Sequence, residues 1–125
     1  MIRGIGVDIL EIHRIRQDIE RYGDLFLEKV FTDSEIAYCR EKHNIFQHFA
    51  ARFASKEAFS KALATGWKGD FRWRDVEVVN DHSGQPRIVL HGSLRQSLLT
   101  SSIFVTLSHS DSHVVAVVVI EDMTE

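Results

Sequence analysis

Residues 49 to 66 read Phe-Ala-Ala-Arg-Phe-Ala-Ser-Lys-Glu-Ala-Phe-Ser-Lys-Ala-Leu-Ala-Thr-Gly. Nothing in this stretch breaks a helix before Gly66, so a helix is expected over about residues 47–63, closing at Thr65-Gly66. Apolar residues stand on almost every side of it, so it should be enclosed on most sides. Yet it carries Arg52, Lys56, Glu57 and Lys61. Ionised side chains are costly to bury unless paired, hydrogen-bonded or bound to metal. These charges therefore either pair off within the fold or line a site.

Before this helix, residues 2–9 alternate as a strand. Gly4, Gly6 and Asp8 share one face, where another backbone or a ligand can approach closely. Ile12, Ile15, Ile19 and Tyr22 then repeat at helical spacing, with Gly23 as a stop. Thr32 and Glu35 form a T-x-x-E capping box that opens a short helix to about residue 42. After the central helix the signals are mostly of strands. A loop is expected over 66–72, a strand over 73–79 and a turn over 80–86, followed by a returning strand over 87–90. A short helix over 92–99 and strands over 103–107 and 114–120 complete the chain. This order implies an α+β fold, with an antiparallel sheet packed against the buried helix in one domain over 1–125.

The 125 residues carry a net charge of −3, so the chain as a whole does not attract nucleic acid, and an acidic partner needs a local basic patch. Cys39 is the only cysteine, which excludes an internal disulfide and a cysteine-type zinc site. Asp8 and Glu11 interrupt any secretory apolar region, and the longest apolar run, 114–120, is too short to span a bilayer as a helix. A cytoplasmic protein that engages no membrane is expected.

Glu57 and Lys61 are four residues apart on one side of the central helix. They fit either an ordinary ion pair or a site in which Glu57 holds a hard cation and Lys61 faces a phosphate. Mg²⁺ usually takes one or two carboxylates plus phosphates and water. Asp8 is the candidate second carboxylate, and it also fits the N-cap of the following helix. Arg52 and Lys56 share another side, either as a solvated basic edge or as phosphate ligands. Ser108, His109 and Asp111 offer the letters of a hydrolase triad, but neighbours on a strand point to opposite faces and no G-x-S-x-G elbow is present. A turn or an anion nest is the simpler reading of that segment.

Four segments resemble one family. Gly4-Ile5-Gly6-Val7-Asp8 through Arg14-Ile15, Phe31-Thr32-x-x-Glu35, Arg52-Phe53-Ala54-Ser55-Lys56-Glu57-Ala58 through Lys61-Ala62, and Leu107-Ser108-His109-Ser110 resemble, in order, the motifs of the short bacterial holo-acyl-carrier-protein synthases. The resemblance implies the 4′-phosphopantetheinyl transferase fold. It also implies transfer of 4′-phosphopantetheine from coenzyme A to a serine of apo acyl carrier protein, in fatty acid biosynthesis, releasing adenosine 3′,5′-bisphosphate. On this resemblance Asp8 and Glu57 hold Mg²⁺, Lys61 stabilises the leaving phosphate with or without protonating it, and Glu57 takes the serine proton either directly or through a metal-bound water. Arg52, Lys56, Ser60, His109 and Ser110 contact coenzyme A, and Arg14 and Arg21 meet the acidic carrier. A homotrimer with sites between subunits is also implied, which would account for the apolar surround of the central helix.

One departure stands out: Ala64 replaces the glycine usual after the K-A pair. Alanine is harmless if that position is still helical, with Gly66 as the stop, and this is the expectation. Three rival readings remain: a module that binds carrier or coenzyme A without turnover, a small hydrolase on Ser108, His109 and Asp111, and a longer transferase of two halves.

Overall fold

The computed structural model describes residues 1–64 and 72–123. A strand, β1 (Ile2–Glu11), leads into α1 (Ile12–Tyr22), α2 (Asp24–Val30), α3 (Asp33–Arg40) and the long α4 (Ile45–Leu63). A 3₁₀ turn (Trp73–Asp75) precedes β2 (Val76–Asn80) and β3 (Pro86–Leu90). A short α5 (Gly92–Ser97) and the strands β4 (Ser101–His109) and β5 (His113–Asp122) follow. Two antiparallel sheets result, one of order β1-β5-β4 and a hairpin of β2 and β3. The α+β expectation holds, with α4 against the three-stranded sheet.

Period-two alternation decides which way that sheet faces. Gly4, Gly6, Asp8 and Leu10 pair with Ile120, Val118, Ala116 and Val114, and this face packs on α4. A Cβ at Gly4 would overlap the carbonyl oxygen of Ala62, and one at Gly6 that of Ala58. Glycine on the strand and alanine on the helix thus let two backbones touch, the close approach that the glycine face anticipates. The other face carries Ile5, Val7, Ile9 and Phe104, all exposed.

Helix α4 is enclosed by its own chain. Strands β1 and β5 cover one side, and α1, α3 and β2 cover others. Phe49, Ala50, Ala54, Ala58, Phe59 and Ala62 lie in the core, where Phe49 meets Phe31 with ring centres 4.9 Å apart. A subunit interface is therefore not needed to explain its apolar surround.

Four local expectations are corrected. Asp8 is not a helix cap, because β1 runs on to Glu11, and Glu11 occupies the N-cap position of α1 without a side-chain bond. Helix α2 was not anticipated; its seven residues are too few to show a period, and it is held by burial of Leu27 and Val30. Residues 73–75 form a 3₁₀ turn where a strand was expected. Ala64 is not helical: it caps α4 in the left-handed region at φ 62°, ψ 13°, the conformation that glycine adopts at no steric cost. The expected stop at Gly66 lies outside the described residues. The capping box at α3 is present in full, with the Glu35 amide donating to Thr32 Oγ1 and the Thr32 amide donating to Glu35 Oε1.

Candidate active site

Two clefts collect the candidate residues, one at each edge of the contact between α4 and the sheet. The first, of about 350 Å³, is lined by Asp8 and Leu10 of β1, Arg14 and Asp18 of α1, and Phe53, Glu57 and Lys61 of α4. Phe53, Glu57 and Lys61 follow at spacings of four along the helix, so one side of α4 presents all three. Asp8 arrives from the glycine face, because only the bare backbone at Gly4 and Gly6 lets β1 lie this close.

Lys61 turns to the strand. Its Nζ donates to Asp8 Oδ1 at 3.1 Å and to the Val7 carbonyl at 3.0 Å. The Asp8 side chain is largely covered, whereas that of Lys61 is more than half exposed and can move. Three carboxylates, Asp8, Asp18 and Glu57, each from a different element, thus share one cleft with a mobile ammonium. Among the described residues no three acidic, histidine or cysteine groups stand close enough to form a closed metal cage. The donor set fits a hard cation that completes its shell with substrate oxygens and water, which is how Mg²⁺ is usually held.

The second cleft, of about 250 Å³, is lined by Tyr38, His48, Arg52, Asn80, Ser108 and His109, among others. Arg52 is 3% exposed, and its Nη2 donates to Asn80 Oδ1 at 2.7 Å. Its guanidinium carbon lies 4.1 Å from the centre of the Tyr38 ring, and its Nε is buried without a partner. Among the described residues no carboxylate lines this cleft. Burial first, and then the charges of Arg52, Lys42 and His109, push the His48 pKa below 6.5. A concave, positively charged wall with an orphaned donor suits a phosphate-bearing ligand.

A sequence profile described as the 4′-phosphopantetheinyl transferase superfamily matches residues 4–118. The chain belongs to that superfamily. Among its relatives, the holo-[acyl-carrier-protein] synthase of Koribacter versatilis is 44% identical over 125 residues, covering 98% of this chain and all of the relative. The crystal structure of the Neisseria meningitidis holo-[acyl-carrier-protein] synthase superposes with a TM-score of 0.91 at 31% identity, covering 98% of this chain and all of that one. The Bacillus anthracis synthase, solved in complex with coenzyme A (3′,5′-ADP), gives a TM-score of 0.83 at 34% identity, with 98% of each chain covered.

Within this transferase fold the predicted residues separate into groups. Asp8, Glu57, Lys61 and Arg14 meet in the first cleft, and Arg52 and His109 meet in the second. Arg21 is exposed at the far end of α1, with its guanidinium over Tyr22. Lys56 is a correction. It is 0% exposed, and its ammonium donates to Glu35 Oε1 at 2.8 Å, the Trp73 carbonyl at 3.0 Å and the Val76 carbonyl at 2.6 Å. All three protons are used, so none is left for coenzyme A. Ser60 is likewise buried inside the fold and lines neither cleft. Ser110 lies outside the lining too, since its Oγ accepts the amides of Ser112 and His113 and builds the turn. Among the described residues no hydrogen bond joins Ser108, His109 and Asp111, and the pairing of His109 with Val114 puts it on the face opposite Ser108. The hydrolase reading therefore has no geometry behind it.

Tyr38, His48, Asn80 and Asp18 are cleft residues that the sequence reading missed. Asn80 carries a faint signal, as a polar residue opening a turn-rich run. The others are ordinary helix residues whose meeting is decided by packing.

Proposed function

We infer that this chain transfers the 4′-phosphopantetheine arm of coenzyme A to a serine of apo acyl carrier protein, releasing adenosine 3′,5′-bisphosphate. The observation that carries the reading is the convergence of Asp8, Glu57 and Lys61 in one cleft, in a chain of this superfamily. Relatives named holo-[acyl-carrier-protein] synthase and a coenzyme A complex of this fold support the substrates.

Asp8 and Glu57 are the residues that would hold Mg²⁺, which when bound supplies positive charge beside the pyrophosphate of coenzyme A. Lys61 leaves Asp8 to neutralise the phosphate that departs, and its exposure allows that movement. Glu57 accepts the proton of the carrier serine. Phe53 and Leu10 wall the cleft and limit water around these charges. Arg52 and His109, in the second cleft, bind the nucleotide end. Arg14 lies at the lip of the first cleft and Arg21 at the other end of α1, so the helix offers an acidic carrier two positive charges beside the chemistry.

The exposed Ile5, Val7, Ile9 and Phe104 support a homotrimer built on the outer sheet face, with sites between subunits. One domain over 1–125, a role in fatty acid biosynthesis and a cytoplasmic location complete the proposal. Among the described residues no helix is long and apolar enough to cross a membrane.

The test is an intact-mass assay of apo acyl carrier protein mixed with this protein, coenzyme A and Mg²⁺, with an EDTA control. A Mg²⁺-dependent phosphopantetheine adduct is expected. Asp8→Asn and Glu57→Gln should each lower its rate by at least about a hundredfold while the protein stays folded. Unmodified carrier despite a measurable complex would replace the enzyme with a binding module, and turnover unaffected by EDTA would refute the metal assignment.

A further inference from the structure

The cations around the second cleft gather on an aromatic ring rather than on carboxylates. The Lys42 Nζ lies 4.5 Å from the centre of the Tyr38 ring, over which the Arg52 guanidinium carbon stands at 4.1 Å. The His48 ring meets the same ring edge-on, with centres 5.7 Å apart. Among the described residues neither Arg52 nor Lys42 forms an ion pair. Two like charges repel, and the negative face of an aromatic ring is what offsets that repulsion here. Burial first, and then the charges of Arg52 and Lys42, hold the His48 pKa below 6.5. Arg52, whose buried Nε has no partner, is among the residues that line the cleft.

We propose that Tyr38 is a positioning residue for the nucleotide end of the substrate: its ring holds Arg52 and Lys42 together so that both charges act on the 3′-phosphate, the one phosphate monoester of coenzyme A. The proposal rests on the reading of this cleft as the nucleotide end. Asn80 holds the guanidinium through the 2.7 Å bond to Nη2, and Nε keeps no partner within the fold. Tyr38 itself need not touch the substrate. Its hydroxyl is not required, but its π face is.

Calorimetric titration of adenosine 3′,5′-bisphosphate and of adenosine 5′-monophosphate separates the two layers of the argument. The wild-type protein should prefer the bisphosphate. Tyr38→Leu should weaken bisphosphate binding by about fivefold to thirtyfold, and Tyr38→Phe by no more than about twofold, as loss or retention of a cation–π contact implies. Monophosphate binding should stay the same in both variants. In turnover, Tyr38→Leu should raise the KM for coenzyme A and leave kcat unchanged. Equal loss for both nucleotides would mean a loosened fold and would overturn the proposal, as would a Tyr38→Leu protein that keeps the full preference. Lys42→Met, at a partly exposed site, gives a second measure if Tyr38→Leu does not fold: it should erode the same preference, and an unchanged preference refutes the pairing. A wild-type protein with no preference would overturn the nucleotide reading of the cleft, and this proposal with it.

Discussion

Replacing Lys56 with methionine tests whether this lysine serves the fold or the substrate. The ammonium has no solvent exposure and donates to Glu35, Trp73 and Val76, so it ties α4 to α3 and to the start of β2. Burial pulls its pKa down and Glu35 opposes that pull, so the charge depends on the pair. In Lys56→Met the Glu35 carboxylate keeps the amides of Thr32 and Val78 but loses its counter-ion, and the carbonyls of Trp73 and Val76 lose their donor. Breaking one side of a buried pair costs about 3–5 kcal/mol. A domain has about 5–15 kcal/mol to lose, so the variant should fold but be severely weakened. Urea unfolding at fixed protein concentration should show a midpoint lower by at least about 1 M. Glu35→Gln combined with Lys56→Met should recover at least about 1 kcal/mol relative to the sum of the two single changes, because the orphaned charge is gone. The affinity of the folded protein for coenzyme A should be unchanged. A Lys56→Met protein as stable as wild type but weaker for coenzyme A would refute the reasoning and restore Lys56 to the substrate.

Ala64→Gly removes the left-handed alanine after α4; it should stabilise by about 1 kcal/mol, the steric cost less the added freedom of the unfolded chain, and thermal melting should rise by a few degrees. An unchanged or lower Tm would show that Ala64 is unstrained. Gly6→Ala drives a methyl into the Ala58 carbonyl, so β1 must lift from α4 and carry Asp8 away from Glu57. It should cost about 1–3 kcal/mol and weaken Mn²⁺ binding, read by paramagnetic resonance. Full Mn²⁺ affinity would mean that the strand does not set the site. The folded-state pKa of His48 is depressed below 6.5, so the unfolded chain holds more protons there and the fold loses stability as pH falls from 6.5 through that lower value. Adenosine 3′,5′-bisphosphate should raise the His48 pKa, followed by NMR of its ring protons, by offsetting Arg52, Lys42 and His109. An unmoved titration would place the phosphate elsewhere.

Much of this protein was legible in one dimension because the deciding physics is local. The run from Phe49 to Leu63 announces an enclosed helix, since no solvated helix carries apolar residues on every side. Thr32 and Glu35 announce their cap because its two bonds span three residues. Gly4 and Gly6 announce a close approach, though not what approaches. The spacing of Glu57 and Lys61 fixes them on one side of α4, and Asp8, at the end of the glycine face, is the candidate second carboxylate that the resemblance then joins to them.

What tertiary structure decided is which charges face outward into a cleft and which face inward. Lys56 and Glu57 are neighbours in the chain, yet 100° of helix rotation sends one to a buried carboxylate and the other to a cleft. No local signal marks Glu35 as the partner of Lys56, because the pair spans 21 residues and forms only when α3 docks on α4. The same docking puts Tyr38 under Arg52 and makes an ordinary helix residue part of the second cleft. Ala64 shows the converse limit: propensity alone favours a helical alanine, yet the residue caps α4 in the left-handed region.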